Sequence, residues 1–315
     1  MKDKTIIITG PTASGKSDIA INIAQKINGQ VISADSQQVY REMDIGTNKV
    51  VNYFEVDHHM LNLVDPNENF SVEEFKNDAK KIITVLNNNH IMPIVTGGTG
   101  FYIDSLIFDM NYGQVKKDDE IRKKFQKLAI DKGNEYLFEK LLEIDPLTAR
   151  KYHPNELNRI IRALEIYEIT GEKPSEKRRG EKKLNENLKP ILFFLNYSNR
   201  EGLYKKINER VINMVEEGLI NEVKYLIDKY NLDENSQSMS AIGYKEVLTY
   251  IRGEIGLDEM VNLIQRNSRR YAKRQITWMK RYLPYPFTHE IIMDDLSKDD
   301  ASMIIEDLIK DIYEF

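Results

Sequence analysis

The feature that most restricts this chain is a glycine-rich run close to its start: Gly10-Pro11-Thr12-Ala13-Ser14-Gly15-Lys16-Ser17. The run matches G-x-x-x-x-G-K-[ST]. A β-branched stretch at residues 5–9 precedes it, and a helix pattern over residues 16–27 follows, with Ile19, Ile23 and Ile27 spaced by four. Strand, glycine loop and helix in that order make a phosphate loop. Its backbone N–H groups converge on an anion, and the start of the helix adds partial positive charge. Lys16 offers a point charge to a terminal phosphate, and Ser17 can place its hydroxyl on Mg²⁺. All eight residues are therefore candidates for holding a diphosphate. An ordinary turn would need neither Lys16 nor Ser17.

Such a loop requires a sheet behind it. Gly29 stops the first helix, and a second strand runs from Val31 to Asp35. A helix is expected over residues 72–86 and a buried strand over residues 93–96. This alternation predicts an α/β fold, a P-loop NTPase-like core with a mostly parallel sheet and helices on both faces. The pattern changes near Gly113. Residues 118–170 show only helical periodicity, with Leu157, Ile160, Ile161 and Leu164 on one stripe and Gly171-Glu172-Lys173-Pro174 as a stop. Residues 172–187 are polar and read as an exposed loop, a strand returns at residues 191–195, and helices dominate thereafter. The expected organisation is a catalytic core of residues 1–113 and 185–315, interrupted by an all-helical insertion at residues 114–184.

Hydrophobic residues make up 41% of the 315, enough for a packed core. No apolar run of about 18 residues exists, so no membrane span is expected, and no leader is expected before the first strand. The absence of cysteine excludes disulfides and thiolate metal sites and fits a reducing cytoplasm, where the chain is expected to act as a monomer. A net charge of −5 argues against a nucleic-acid partner only until its distribution is read. Residues 289–315 hold nine acids and two lysines, a net −7, which leaves −5 + 7 = +2 for the rest. Residues 266–281 hold seven Lys/Arg and no acid. Phosphate contacts are made by such patches, not by the sum.

The phosphate loop specifies a polyphosphate, with nucleotide as the default. Two features weaken that default. The strand at residues 93–96 runs into Thr96-Gly97-Gly98-Thr99-Gly100 instead of ending in a Mg²⁺-binding acid, and no Asn-Lys-x-Asp guanine reader exists. The glycine loop suits a second set of backbone and hydroxyl contacts to an anion. His58-His59 lacks an acid at ligand spacing and reads as capping or core hydrogen bonding, and Met43 and Met60 as packing.

Taken together, several runs identify a resemblance. They are residues 10–17, Ser33-Ala34-Asp35-Ser36-Gln37-Gln38-Val39-Tyr40, Met43-Asp44-Ile45-Gly46-Thr47, the Thr96 loop through Phe101-Tyr102, and His153-Pro154-Asn155. Arg159-Ile160-Ile161-Arg162-Ala163-Leu164-Glu165, Ser240-Ala241-Ile242-Gly243-Tyr244-Lys245-Glu246 and Ala272-Lys273-Arg274-Gln275-Ile276-Thr277-Trp278 continue the series. In order and spacing the chain resembles the tRNA dimethylallyltransferases over residues 6–281. It is closer to the bacterial type, since no cysteine-bearing zinc module follows the core. The resemblance implies that dimethylallyl diphosphate enters one side of the core. The adenosine 3′-adjacent to the anticodon, flipped from its loop, enters the other. Prenylated adenosine and pyrophosphate are the implied products, and Mg²⁺ the implied cofactor.

The resemblance also implies roles. Asp35 matches the general base that takes a proton from the adenine amine; a helix N-cap or a metal ligand is the alternative. Lys16, the loop amides, Mg²⁺ and the Thr99 hydroxyl stabilise the leaving diphosphate, and Thr99 also matches a position near the target nucleotide. Arg210 matches an arginine associated with the diphosphate; the alternative is a solvated charge on the helix marked by Leu203, Ile207, Val211 and Val215. The anticodon stem-loop is expected to meet Asp35, Ser36, Gln37 and Gln38, then Asn158, Arg159 and Arg162 on the insertion, then Ala241, Gly243 and Tyr244. Lys273, Arg274, Gln275, Trp278 and Lys280 follow along the stem, with Arg122 as a single further contact. Tyr244 and Trp278 serve equally well as core packing. Three other functions fit parts of the pattern: a P-loop small-molecule kinase, a prenyltransferase acting on free adenine nucleotide, and a non-catalytic RNA-binding module with a vestigial loop.

Overall fold

The computed structural model describes residues 2–49, 56–109, 117–177 and 183–313. The chain divides into two compact units, Met1–Phe108 with Leu184–Phe315, and Asp109–Lys183.

The first unit is built on six strands: β1 (Asp3–Thr9), β2 (Gly29–Ser33), β3 (His58–His59), β4 (Met92–Gly97), β5 (Leu188–Asn196) and β6 (Thr288–Ile292). Their order is β3-β2-β4-β1-β5-β6, and every pairing is parallel. The central strands are largely buried and carry apolar runs at Ile6–Ile8, Ile94–Val95 and Ile191–Leu195, as a sheet covered on both faces requires. Helices α1 (Lys16–Lys26), α2 (Val72–Asn88) and α3 (Gly100–Ile107) follow the early strands. The later part adds more helices, numbered here after the α4–α8 of the second unit: α9 (Arg200–Glu216), α10 (Leu219–Tyr230), α11 (Tyr244–Ile251), α12 (Leu257–Met279) and α13 (Lys298–Tyr313). The α/β class, the parallel sheet and the P-loop core are as the sequence predicts.

Register positions the site. Thr9 pairs with Gly97, and Ser33 pairs with Thr96. Strands β1, β2 and β4 therefore end level, and the loops that follow them leave from one edge. In open parallel sheets that carboxyl edge is where ligands bind. Strand β2 stops at Ser33, two residues short of the expected end, so Asp35 lies in a turn and not in the strand.

The acidic C-terminal region departs from a simple tail. It forms β6 and α13. Helix α13 buries Ala301, Ile305, Ile309 and Tyr313 and turns its acids outward. It binds α1 through Lys26–Glu306 (2.7 Å) and Lys298–Asp18. The Tyr313 hydroxyl accepts the Thr5 amide (3.1 Å) and donates to the Lys189 carbonyl (2.6 Å). Strands β3 and β6 are edge strands; the first has only two residues, too few for periodicity to register.

The second unit holds α4 (Asp119–Lys132), α5 (Asn134–Ile144), α6 (Pro146–Ala149), α7 (Leu157–Thr170) and α8 (Pro174–Lys177). Phe125, Leu137, Leu141, Ile160, Ile161 and Leu164 form its core, with Leu157 at the margin. Gly171 ends α7 in the left-handed conformation at φ 70°. Within this unit Glu165 is fully buried. Arg122 donates to both of its oxygens at 3.0 Å, Arg162 donates at 2.6 Å, and the Asp118 amide at 2.7 Å. Burial alone would raise this carboxyl pKa; the bonds from Arg122 and Arg162 outweigh it and hold the group below the usual glutamate range.

A depressed pKa in the folded state contributes stability above the unfolded pKa and loses it as pH falls. Glu165→Gln is expected to cost about 2 kcal/mol at pH 7. The native chain should lose part of that difference below its ordinary glutamate pKa of 4.5, and the variant should lose less. Urea titrations at pH 7 and below 4.5 measure both.

Candidate active site

At the end of β1 the Thr9 hydroxyl donates to the Gly97 carbonyl at 2.9 Å, tying the first loop to the one after β4. The phosphate loop then turns through Ala13 (φ 63°) and Gly15 (φ 82°), both left-handed, and delivers Lys16 and Ser17 to the first turn of α1. Glycine adopts that conformation without the Cβ strain of other residues. Thr12 is held at two points: its amide donates to Gln275 Oε1 at 2.8 Å, and its hydroxyl accepts from Arg210 at 2.6 Å. Lys16 Nζ donates to the Pro11 carbonyl at 3.3 Å.

Burial pushes Lys16 down to about 8, opposed by the Asp35 carboxylate and helped by Arg210. Burial also lowers Arg210, again opposed by Asp35. Two desolvated cations thus stand beside a phosphate loop, and an anion placed between them would relieve the penalty on both. The alternative for Arg210, a solvated helix charge, does not fit: the buried stripe of α9 is Leu203, Ile207, Val211 and Met214, and Arg210 lines the cleft.

The second wall comes from the turn after β2. One Asp35 oxygen accepts the Gln37 amide at 2.9 Å, a local turn and not a helix cap. Thr99 Oγ1 accepts the Ser36 amide at 3.0 Å, so the loops after β2 and β4 are joined. The Thr99 amide donates to the Ala34 carbonyl at 3.2 Å, which corrects the expectation that this amide is offered to an anion. Gln38 is engaged on both sides, accepting from the Ser33 hydroxyl (2.9 Å) and donating to the Thr47 carbonyl (3.2 Å). Gln37 differs: its Oε1 is buried with no hydrogen-bond partner.

These walls border a cleft lined by Lys16, Ser17, Asp35, Thr47, Arg210 and Tyr271, among others. Tyr271 and His58 lie in it and were not foreseen. Burial and the nearby Asp35 push the Tyr271 phenol up to about 12, against the influence of Thr99 and Gln275. It stays protonated at neutral pH and can donate. The signal for it was spacing: Tyr271, Gln275 and Trp278 share one face of α12, and Lys273, Arg274 and Lys280 are exposed on the other. His58 Nδ1 lies 2.7 Å from the Val56 carbonyl, and His59 Nε2 2.8 Å from Gln30 Oε1. Burial lowers both imidazoles, so they are neutral.

The other expected RNA residues fall into two groups. Lys273, Arg274 and Lys280 are exposed, as are Asn158 and Arg159 in the second unit, where Arg159 meets only Glu156 (2.5 Å) and the Tyr152 ring. Arg122 and Arg162 are instead bound to buried Glu165, because a carboxylate without water needs those partners. Tyr244 is fully buried; its hydroxyl donates to Glu222 at 2.6 Å, and it does not offer a ring to a base. Ala241 and Gly243 are buried with it, leaving Ser240 and Lys245 as the exposed members of that segment. Trp278 lies against Gly100 and carries the Arg281 guanidinium 3.9 Å from its ring centroid. Gln275 is 5% exposed.

The family model described as IPP transferase matches residues 38–282, and one described as isopentenyl transferase matches residues 3–55. A tRNA dimethylallyltransferase of Caldanaerobacter subterraneus subsp. tengcongensis is 45% identical over 319 residues, spanning 100% of this chain and 98% of that one. Another, of Alkaliphilus oremlandii, is 46% identical over 285 residues, 90% of each chain. Among solved structures, a full-length tRNA isopentenylpyrophosphate transferase from Bacillus halodurans superposes with a TM-score of 0.72 at 39% identity, covering 99% of this chain and 97% of that one. A eukaryotic dimethylallyltransferase acting on tRNA gives 0.82 at 30% identity, covering 99% and 80%.

An anion held by the depressed Lys16 should bind in a pH-dependent way. An alkyl diphosphate binds the protonated form, so its affinity should be level below about pH 8. Above that it should fall by up to about tenfold per pH unit. Binding near pH 8.5 should also take up a proton, seen as a heat that changes with the ionisation enthalpy of the buffer. A flat profile would place Lys16 outside the anion site.

Proposed function

The chain belongs to the tRNA dimethylallyltransferase family, and from that premise we propose how its cleft transfers a dimethylallyl group from the diphosphate to tRNA. The acceptor in this reading is the exocyclic amine of the adenosine 3′-adjacent to the anticodon. The chain is an enzyme that transfers a prenyl group to tRNA. The observation that carries the mechanism is the meeting of desolvated Lys16 and Arg210 with the Asp35 carboxylate across one cleft.

The amine lone pair of adenine is delocalised into the ring and attacks weakly. Asp35 orients the amine and accepts its proton as the new N–C bond forms. The allylic C–O bond breaks, and its electron pair leaves with the diphosphate. Lys16, Arg210 and the free amides of the phosphate loop hold the charge that develops there. A single well-placed donor of this kind contributes roughly 3 kcal/mol in the transition state. Thr99 keeps the Asp35 turn in place through Ser36, and the Tyr271 phenol lies near Asp35 in the same cleft. The unpartnered Gln37 oxygen suits an amine on the base edge.

Mg²⁺ neutralises diphosphate charge when bound. Ser17 is the protein ligand in this reading, since it lines the cleft at the start of α1. Among the described residues no group of three His, Asp or Glu forms a metal cage. Mg²⁺ keeps water and takes phosphate oxygens alongside one or two protein ligands.

For the RNA, the exposed Lys273, Arg274 and Lys280 support a stem contact, and Asn158 with Arg159 support one on the helical insertion of residues 114–184. Holding a base outside its stack costs a few kcal/mol, which phosphate contacts offset. No helix among the described residues is long and apolar enough to cross a membrane. A cytoplasmic location follows from the RNA substrate in this reading.

The decisive test is nucleoside mass analysis of unmodified tRNA after reaction with dimethylallyl diphosphate and Mg²⁺. A gain of one five-carbon group on a single adenosine is expected. Phosphorylation by ATP without prenyl transfer would instead favour a kinase. Asp35→Ala should lower kcat by about 10²- to 10⁴-fold with tRNA affinity nearly unchanged; equal loss of both would make Asp35 structural. Lys273→Ala with Arg274→Ala should weaken tRNA binding and reduce the slope of log affinity against log salt by up to about two. An unchanged slope would remove this helix from the RNA surface.

A further inference from the structure

Gln275 was expected to touch RNA, yet its amide is turned inward. Oε1 accepts the Thr12 amide at 2.8 Å, and Nε2 donates to the Gly98 carbonyl at 3.0 Å. Thr12 belongs to the phosphate loop after β1, and Gly98 to the loop after β4. One planar group therefore spans two separate loops of the cleft. The bonds run in opposite senses, one accepted and one donated. A carboxamide supplies both from one planar side-chain end; a carboxylate can only accept, and lysine or arginine can only donate.

The surroundings leave this amide little freedom. A Cβ at Gly98 would collide with Gln275 Nε2, so the amide lies closely against this glycine. Tyr271, one turn earlier, interacts with Thr99 and Gln275, and Trp278, one turn later, lies against Gly100. The same helix presents Lys273, Arg274, Thr277 and Lys280 to solvent. The Thr12 hydroxyl is meanwhile fixed by Arg210.

We propose that Gln275 is a positioning residue for the transfer reaction: its side-chain amide sets the distance between the phosphate loop and the Thr96–Gly100 segment, and it makes no contact with RNA. The proposal rests on the reading that a prenyl diphosphate occupies this cleft. Without the clamp, Thr12 and Gly98 separate, and the cations and amides no longer converge on one anion.

The test compares Gln275→Met, close in length and shape but unable to bond either loop, with Gln275→Glu, which keeps the acceptor for Thr12 and loses the donor to Gly98. Alkyl diphosphate affinity is read by calorimetry, tRNA affinity by filter binding, and kcat and KM for both substrates by steady-state assay. For Gln275→Met, diphosphate affinity should fall by about tenfold or more, and kcat should fall with it. Its tRNA affinity should stay within about twofold. Gln275→Glu should fold and show the same split, which keeps the test decisive if Gln275→Met is unstable. Loss of tRNA affinity with diphosphate affinity intact, or wild-type values for both, overturns the proposal. Equal loss of both affinities in a folded Gln275→Glu also overturns it. Failure of the wild-type protein to bind an alkyl diphosphate at all would instead sink the proposed function.

Discussion

Hydrogen-bond register between three neighbouring strands governs this molecule. Because β1, β2 and β4 end level, the phosphate loop, the Asp35 turn and the Thr96–Gly100 loop emerge side by side. A slip of one residue would exchange the two packed faces of a strand and shift its loop along the sheet edge. The apolar residues of β1 and β4 fix that register, since both faces of the sheet are covered. Cross-links between the loops then refine it: Thr9 to Gly97, Thr99 to Ser36, and Gln275 to both Thr12 and Gly98.

The electrostatics follow from the same geometry. Lys16 and Arg210 come from different elements and gain no carboxylate in direct ion-pair contact among the described groups. Asp35 is near enough to favour their charge but does not overcome their burial. A surface ion pair is worth little because water already solvates both partners. Here both cations are half-buried at the cleft without a carboxylate in direct contact, an arrangement that an anion would complete. The insertion shows the opposite solution: buried Glu165 is met by two arginines and a backbone amide.

Much of this was legible in the linear order of residues. The phosphate loop is local, so Lys16 and Ser17 could be placed before any tertiary contact was known. Asp35 followed from its position just past a strand, and the helical character of residues 118–170 from a single periodicity. What could not be read were pairings at long range. Arg122 and Arg162 look like solvated charges until Glu165 is known to be buried beneath them. Tyr244 looks like a stacking ring until its hydroxyl is found on Glu222. The glycines after β4 suggest a phosphate cradle, whereas Gly98 and Gly100 make room for Gln275 and Trp278. The acidic C-terminal stretch looked like a tail because its charges mask a helix whose apolar stripe covers α1. Tyr271 and His58 gave no motif of their own.

The contact between Thr12 and Gln275 joins residues 263 positions apart. Closing so long a span gives this part of the structure a high contact order and delays it relative to local elements. Chains are made from the N-terminus, and early segments fold while later ones are still being added. A nascent polypeptide therefore exposes its glycine turn long before the helix bearing its clamp has left the ribosome. Competence to bind the anion arrives at the close of synthesis, when the last third of the chain docks, and not with the motif that first announces it.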